Sequence, residues 1–148
     1  MALPSTLTLE IVTPDRALAL EEVDEVVVPG SEGDMGILPG HTPLLSSLKV
    51  GELWYRQGHD KHFLAVGFGF VEVLPDRVTI LAQVAERAQD IDIERAERAK
   101  RRAEERLGAA APAAAASAQG DLDFERARIA MMKALIRLQV ASRTRTRV

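Results

Sequence analysis

RVTILAQVAERAQDIDIERAERAKRR, residues 77–102, changes its period part-way along. RVTILAQV is short and rich in β-branched residues, the composition of a strand. Beyond Asp90 the rhythm differs: alanines fall at 96, 99 and 103 and Leu107 follows, a narrow small-residue stripe at helical spacing. Asp90 or Asp92 is placed to cap that helix, expected over about 92–107 with a length of roughly 24 Å. A strand that yields to a helix marks a boundary, so the chain reads as two modules, 1–87 and 88–148.

The distribution of residue types agrees. Eight of the ten glycines precede position 70 and six of the seven prolines precede position 76, whereas most alanines lie after position 87. Within the first module TLTLEIV (6–12) alternates apolar and polar residues, and Thr13-Pro14-Asp15-Arg16 supplies a turn. DEVVVPG (24–30), LKVGELWYRQG, KHFLAVGFGFVEVL and RVTILAQV are further short strand candidates, with Leu74-Pro75-Asp76-Arg77 a tight hairpin connection. Gly67 and Gly69 inside a strand signal a bulge or a close backbone approach. Regular strands with no helical period between them predict a β-sandwich or barrel.

In the second module GAAAPAAAASAQG (108–120) reads as an alanine-rich linker, its glycines and Pro112 breaking the helix, with the first alanines able to prolong that helix by a turn. Asp121 or Asp123 is expected to cap a second helix. Its seam is predicted to be Phe124, Ala127, Met131, Ala134, Leu135, Leu138 and Ala141, packing on the first helix in an antiparallel hairpin. The fold class is therefore β + α: an N-terminal β-sandwich followed by a C-terminal antiparallel helical hairpin. So small a hairpin buries little surface, and its stability is expected to be marginal.

Chemistry is scarce. With no cysteine the chain has no disulfide, thiolate zinc site or thiol nucleophile. His59 and His62 flank Asp60, but i, i+3 spacing in a hairpin points their rings to opposite faces. His41 lacks a serine or cysteine partner, and a local backbone role in its turn is expected. No G-x-S-x-G, phosphate loop or dinucleotide fingerprint occurs. Binding or regulation, not catalysis, is the reading; no metal is expected. The N-terminus lacks a signal-peptide pattern and no run approaches a membrane span, so a soluble intracellular chain is expected.

Charge is asymmetric. Residues 1–86 carry 5 basic and 13 acidic side chains, while residues 121–148 carry 7 basic and 3 acidic ones. A basic tail on an acidic body predicts a partner with an acidic surface. Nucleic acid is the rival, opposed by the absence of interleaved aromatics and by the repulsive body.

Three blocks in order, GDMGILPGHTPLL (33–45), FGFVEVLPDRVTILAQVAERAQDIDIERA (68–96) and FERARIAMMKALIRLQVA (124–141), resemble the epsilon subunit of bacterial and chloroplast rotary F-type ATP synthases. The resemblance runs from about residue 6 to 141; the long 108–120 stretch is its main departure. It implies a sandwich bound to the gamma subunit and the c-subunit ring, coupling proton-driven rotation to ATP synthesis. It also implies helices that fold down or extend toward the alpha/beta catalytic head and inhibit ATP hydrolysis. The implied protein is a non-catalytic, peripheral subunit at the cytoplasmic face of the bacterial inner membrane, meeting the membrane only through the complex. A stand-alone ATP-sensing module is the competing reading.

The resemblance also assigns residues. IDIERA (91–96) matches the motif with which family members bind ATP between the two helices, as a regulatory ligand and not a required cofactor. Glu86, Ile91, Asp92, Arg95, Ala96, Arg102 and Arg137 match, with Lys133 where nucleotide-binding members favour arginine and its planar fork. Arg95 and Arg102, two turns apart, lie on one helix face. The alternative stays open: a capped helix whose arginines pair with Glu94, Glu97 and Glu104. For inhibition, Arg126, Lys133, Arg137, Arg143 and Arg145, with Arg147 beyond, are the residues expected to meet acidic loops of the beta subunits.

Overall fold

The structure is a computed structural model that describes residues 2–114 and 116–144. It divides into two compact units between Ala88 and Gln89, one residue beyond the expected boundary.

The first unit is built from β1 (Leu7–Val12), β2 (Ala17–Val23), β3 (Glu25–Gly30), β4 (Gly33–Ile37), β5 (Leu44–Leu48), β6 (Gly51–Gln57), β7 (Asp60–Leu74) and β8 (Arg77–Arg87). Neighbours run in the order β2-β1-β8-β7-β5-β3-β4, with β6 pairing both β3 and β7. Only β1 and β8 are parallel; every other pair is antiparallel. Period-2 alternation does the sorting. In β1, Leu7, Leu9 and Ile11 are fully buried and the residues between them are not. They join Val26, Val28, Ile37, Leu53, Leu64, Val71, Val73, Val78 and Ile80 in one core. Fully burying each such side chain stabilises the unit by about 1.5–3 kcal/mol.

The expected turns are in place. Thr13 donates its N–H to the Arg16 carbonyl at 2.9 Å. Leu74 pairs directly with Arg77, leaving Pro75-Asp76 as a two-residue turn. Polar contacts stitch the surface: Thr8 and Thr6 donate to Glu22 at 2.6 and 2.8 Å and hold its carboxyl below the ordinary range. Arg77 pairs with Glu10. Tyr55 is buried, stacks on His62 with ring centroids 4.8 Å apart, and burial pushes its phenol up.

β7 holds the two layers together. Its first half pairs with β6, from Asp60 to Val66, and its second half with β5, from Gly69 to Val73. At the junction Phe68 has φ 53° and Gly69 φ 128°. A Cβ on Gly69 would lie 1.9 Å from the Leu81 carbonyl oxygen. Gly69 therefore permits a close approach of β8 at the corner where β7 passes from one layer to the next.

The second unit contains α1 (Ile93–Ala114) and α2 (Ala118–Ser142), preceded by a 3-10 turn over Ala88–Asp90. Of the two candidate caps for α1, Asp92 serves: its Oδ1 accepts from the Arg95 N–H at 3.0 Å. Two expectations are corrected here. The 108–120 stretch is not a linker; α1 continues through Gly108 and Pro112 to Ala114, and α2 starts at Ala118. Glycine costs a helix about 1 kcal/mol and proline about 3 kcal/mol, but alanine is the best helix former. Ala110 also continues the spacing of Ala96 and Ala103. Consequently Ser117, not Asp121 or Asp123, caps α2, accepting from the Gly120 N–H at 3.0 Å.

The second correction concerns the seam. The helices, joined so closely, pack antiparallel. On α2 the buried positions include Gly120, Ala127, Ala134 and Ala141, one every seventh residue, matching Ala96 and Ala103 on α1. Ala127, Ala134 and Ala141 are thus in the seam as expected, whereas Phe124, Met131 and Leu138 are only half-buried and Leu135 is 44% exposed. Small residues let two backbones approach closely, and that closeness turns the larger Met/Leu side chains to the flank.

Candidate functional site

The seam residues fix which side chains share a flank. Arg95 and Arg102 each precede a seam alanine of α1 by one position, and Arg126 and Lys133 each precede a seam alanine of α2 by one. In an antiparallel pair, equal offsets from the seam fall on the same side. Arg106 and Arg137, three positions after Ala103 and Ala134, fall on that side too. One flank of the hairpin thus carries Arg95, Arg102, Arg106, Arg126, Lys133 and Arg137.

That flank has few carboxylates of its own. Glu94 takes Arg98 at 3.9 Å and Glu104 takes Lys100 at 3.8 Å, so two of the three acids expected to neutralise Arg95 and Arg102 lie nearer other cations. Asp123 reaches Arg126 at 3.7 Å, with both side chains more than half exposed. Such a pair contributes little, about 0.2–1 kcal/mol. A notch of about 490 Å³ opens on this flank at the turn end of the hairpin, with Arg106 and Arg126 on its two walls and Ala109, Ala110, Gly120 and Ala127 as its small-residue lining. Arg128 lies one position past the seam on the other flank and is held by Glu125 through bonds of 3.0–3.2 Å. Glu125 also pushes its guanidinium pKa up.

The remaining sequence-derived residues fall as follows. Asp92 is exposed and spends Oδ1 on the helix cap, Ile91 is 8% exposed, and Ala96 is buried in the seam. Glu86 lies on β8 in the first unit, paired with Ala65. Arg143 is the C-cap residue of α2 and is exposed. Arg145 and Arg147 lie outside the described residues. His41 places Nδ1 2.7 Å from the Thr42 carbonyl, a local turn contact.

Sequence reasoning did not find the apolar outer face of the first unit. Leu81 pairs with Phe70 on one side and Val12 on the other, so the three side chains form a row across three strands. Phe70 is 55% and Leu81 53% exposed, and Leu45 and Leu20 are exposed on flanking strands. Val12, Pro14 and Leu81 border a shallow depression beside them. At the neighbouring edge Leu38 and Leu44, from the Gly/Pro-rich 33–45 segment, are also exposed. A contiguous exposed apolar surface of this kind marks an interaction site. Its signal was present: Phe70 and Leu81 occupy outward positions of strands whose inward positions are already apolar.

Residues 6–88 match the ATP synthase delta/epsilon chain beta-sandwich domain, and residues 89–142 match the long alpha-helix domain of the same chain. The protein is 47% identical over 137 residues to the ATP synthase epsilon chain 1 of Syntrophotalea carbinolica, covering 93% of this chain and 94% of that one. It is 49% identical over 138 residues to the ATP synthase epsilon chain of Syntrophobacter fumaroxidans, covering 93% and 97%. A chain of the Euglena gracilis mitochondrial ATP synthase shares the fold, with a TM-score of 0.78 at 23% identity over 96% of this chain and 84% of that one.

Proposed function

The chain belongs to the ATP synthase delta/epsilon chain family, and from that premise we propose that it is the non-catalytic central-stalk subunit of a rotary proton-translocating ATP synthase, coupling rotation to ATP synthesis and restraining ATP hydrolysis. One observation carries the reading: a compact sandwich with an apolar outer face is followed by a second compact unit, a hairpin whose one flank is cationic. The row Val12, Leu81 and Phe70 suits an anchor on the gamma subunit. The exposed Leu38 and Leu44 edge suits the c-subunit ring. The complex then holds the chain at the cytoplasmic face of the bacterial inner membrane; no helix among the described residues is long and apolar enough to cross it.

In the proposed inhibited state α2 leaves α1 and lies along the alpha/beta head. Arg126, Lys133, Arg137, Arg143 and Arg145 then face acidic loops of the beta subunits. Exposed pairs contribute about 0.2–1 kcal/mol each, so charge orients the helix. Burial of Met131, Leu135 and Leu138, at about 25 cal/mol per Å², supplies most of the docking energy.

ATP is proposed as the regulatory ligand of the folded hairpin. Arg95 and Arg102 would hold phosphates, assisted by Lys133 and Arg137, beside Ile91, Asp92 and Ala96. Because Asp92 already caps α1, it has one carboxylate oxygen left for the ligand. Lys133 and Arg137 belong to both sets, so ATP and the acidic head compete for the same side chains. Taking the hairpin from 1:99 to 99:1 folded requires about 5.5 kcal/mol of differential affinity.

Deleting residues 88–148 tests the inhibitory role. The complex is expected to assemble, retain coupled synthesis and hydrolyse ATP several-fold faster than with the full chain. Unchanged hydrolysis would remove inhibition from the account.

A further inference from the structure

We infer that residues 108–114 are a metastable end of α1, built to unwind when the hairpin opens and so to lengthen the tether to α2; this rests on the proposed reading that the hairpin opens. Gly108 has open space where a Cβ would be, and its φ is not in the left-handed range. Neither packing nor backbone geometry asks for glycine there, so its effect is to weaken the helix. Pro112 lies inside the same helix one turn later. It has no N–H, and the carbonyl deprived of a partner is that of Gly108. Two breakers thus converge on one rung of the hydrogen-bond ladder.

Among the described side chains little else holds this stretch. Ala109, Ala111 and Pro112 are exposed and Ala110 is half-buried, whereas Ala96 and Ala103 are 1% exposed. The intrahelical ion pairs of α1, Glu94 to Arg98 and Lys100 to Glu104, both precede it. The notch of about 490 Å³ beside Ala110 and Gly120 opens the flank at this end. On the other side of the turn α2 is secured: Ser117 accepts from the Gly120 N–H at 3.0 Å through its hydroxyl and from the Asp121 N–H at 3.1 Å through its carbonyl. Unwinding is therefore confined to the α1 side, over residues 108–114. Seven residues span about 10 Å as helix and about 23 Å extended. The second helix gains about 13 Å of reach with its own length intact.

Hydrogen exchange on the isolated full chain tests this. Amides of residues 109–111, 113 and 114 are expected to exchange at least about 100-fold faster than those of 97–105, and Gly108→Ala/Pro112→Ala is expected to slow them at least about tenfold. In the reconstituted complex the same double variant is expected to relieve inhibition of hydrolysis at least twofold. Uniform protection from 97 to 114 would overturn the inference, whatever the complex does. So would a localised exchange pattern with inhibition untouched by the double variant but relieved by deleting 88–148. If that deletion itself changes nothing, the inhibitory reading fails, and the exchange pattern still decides whether the segment is metastable.

Discussion

Gly69→Ala is expected to destabilise the sandwich by at least about 3 kcal/mol, and the protein is expected to accumulate poorly. Two costs add. An L-residue at φ 128° is strained by about 1–3 kcal/mol. The new methyl would also lie 1.9 Å from the Leu81 carbonyl oxygen and 2.9 Å from the Ala82 Cα, both backbone atoms of β8 that move only if the strand does. Opening β7 from β8 there would break the ladder that carries Val71, Val73, Val78 and Ile80 into the core. Gly67→Ala is the control. Its added Cβ meets only Val50 Cγ2, at 3.4 Å, and should cost under about 1.5 kcal/mol. Denaturant melts of the full chain check both, and similar midpoints for the two variants would contradict the role given to Gly69.

Ala134→Leu is expected to dissolve the hairpin and leave the sandwich folded. Ala134 and Ala103 are each 1% exposed, in a seam of small residues where backbones lie close. Inserting three carbons into a closed seam costs about 1–3 kcal/mol or more. Two helices of this length have little stability to lose. Residues 93–142 should lose exchange protection while the strands keep theirs. Leu135→Ala, one position away but 44% exposed, should leave the hairpin protected. Equal protection in both variants would show that the seam lies elsewhere.

The sandwich was legible because alternation and turn chemistry act locally and agree with the tertiary structure. β1 alternates as TLTLEIV does, and Pro75-Asp76 turns where proline and aspartate turn. The hairpin was legible in outline but wrong in detail for one reason. Apolar periodicity gives equal or greater weight to large side chains, so it sets Met131, Leu135 and Leu138 in the seam beside Ala127, Ala134 and Ala141. Close helix packing reverses that weighting, and Gly120, Ala127, Ala134 and Ala141 carried the true seven-residue repeat. Gly108 and Pro112 misled in the same region, because their cost is set against alanine propensity and seam contact, which local reasoning does not sum. Among candidate site residues, the grouping of Arg95 and Arg102 on one α1 face was readable from spacing. Their sharing a flank with Arg126, Lys133 and Arg137 required the seam. The outer row of Val12, Phe70 and Leu81 needed the sheet register, since alternation does not say which apolar face is covered.

The central claim is that the helices separate in the working complex. The chain contains no cysteine, so Arg98→Cys and Gln139→Cys, both exposed and at the same end of the hairpin, take spin labels at those positions alone. Distance distributions measured in the assembled complex are predicted to show a short and a long population, with saturating ATP enriching the short one. A single short distance, unchanged between ATP-depleted and ATP-saturated complex, would contradict the account.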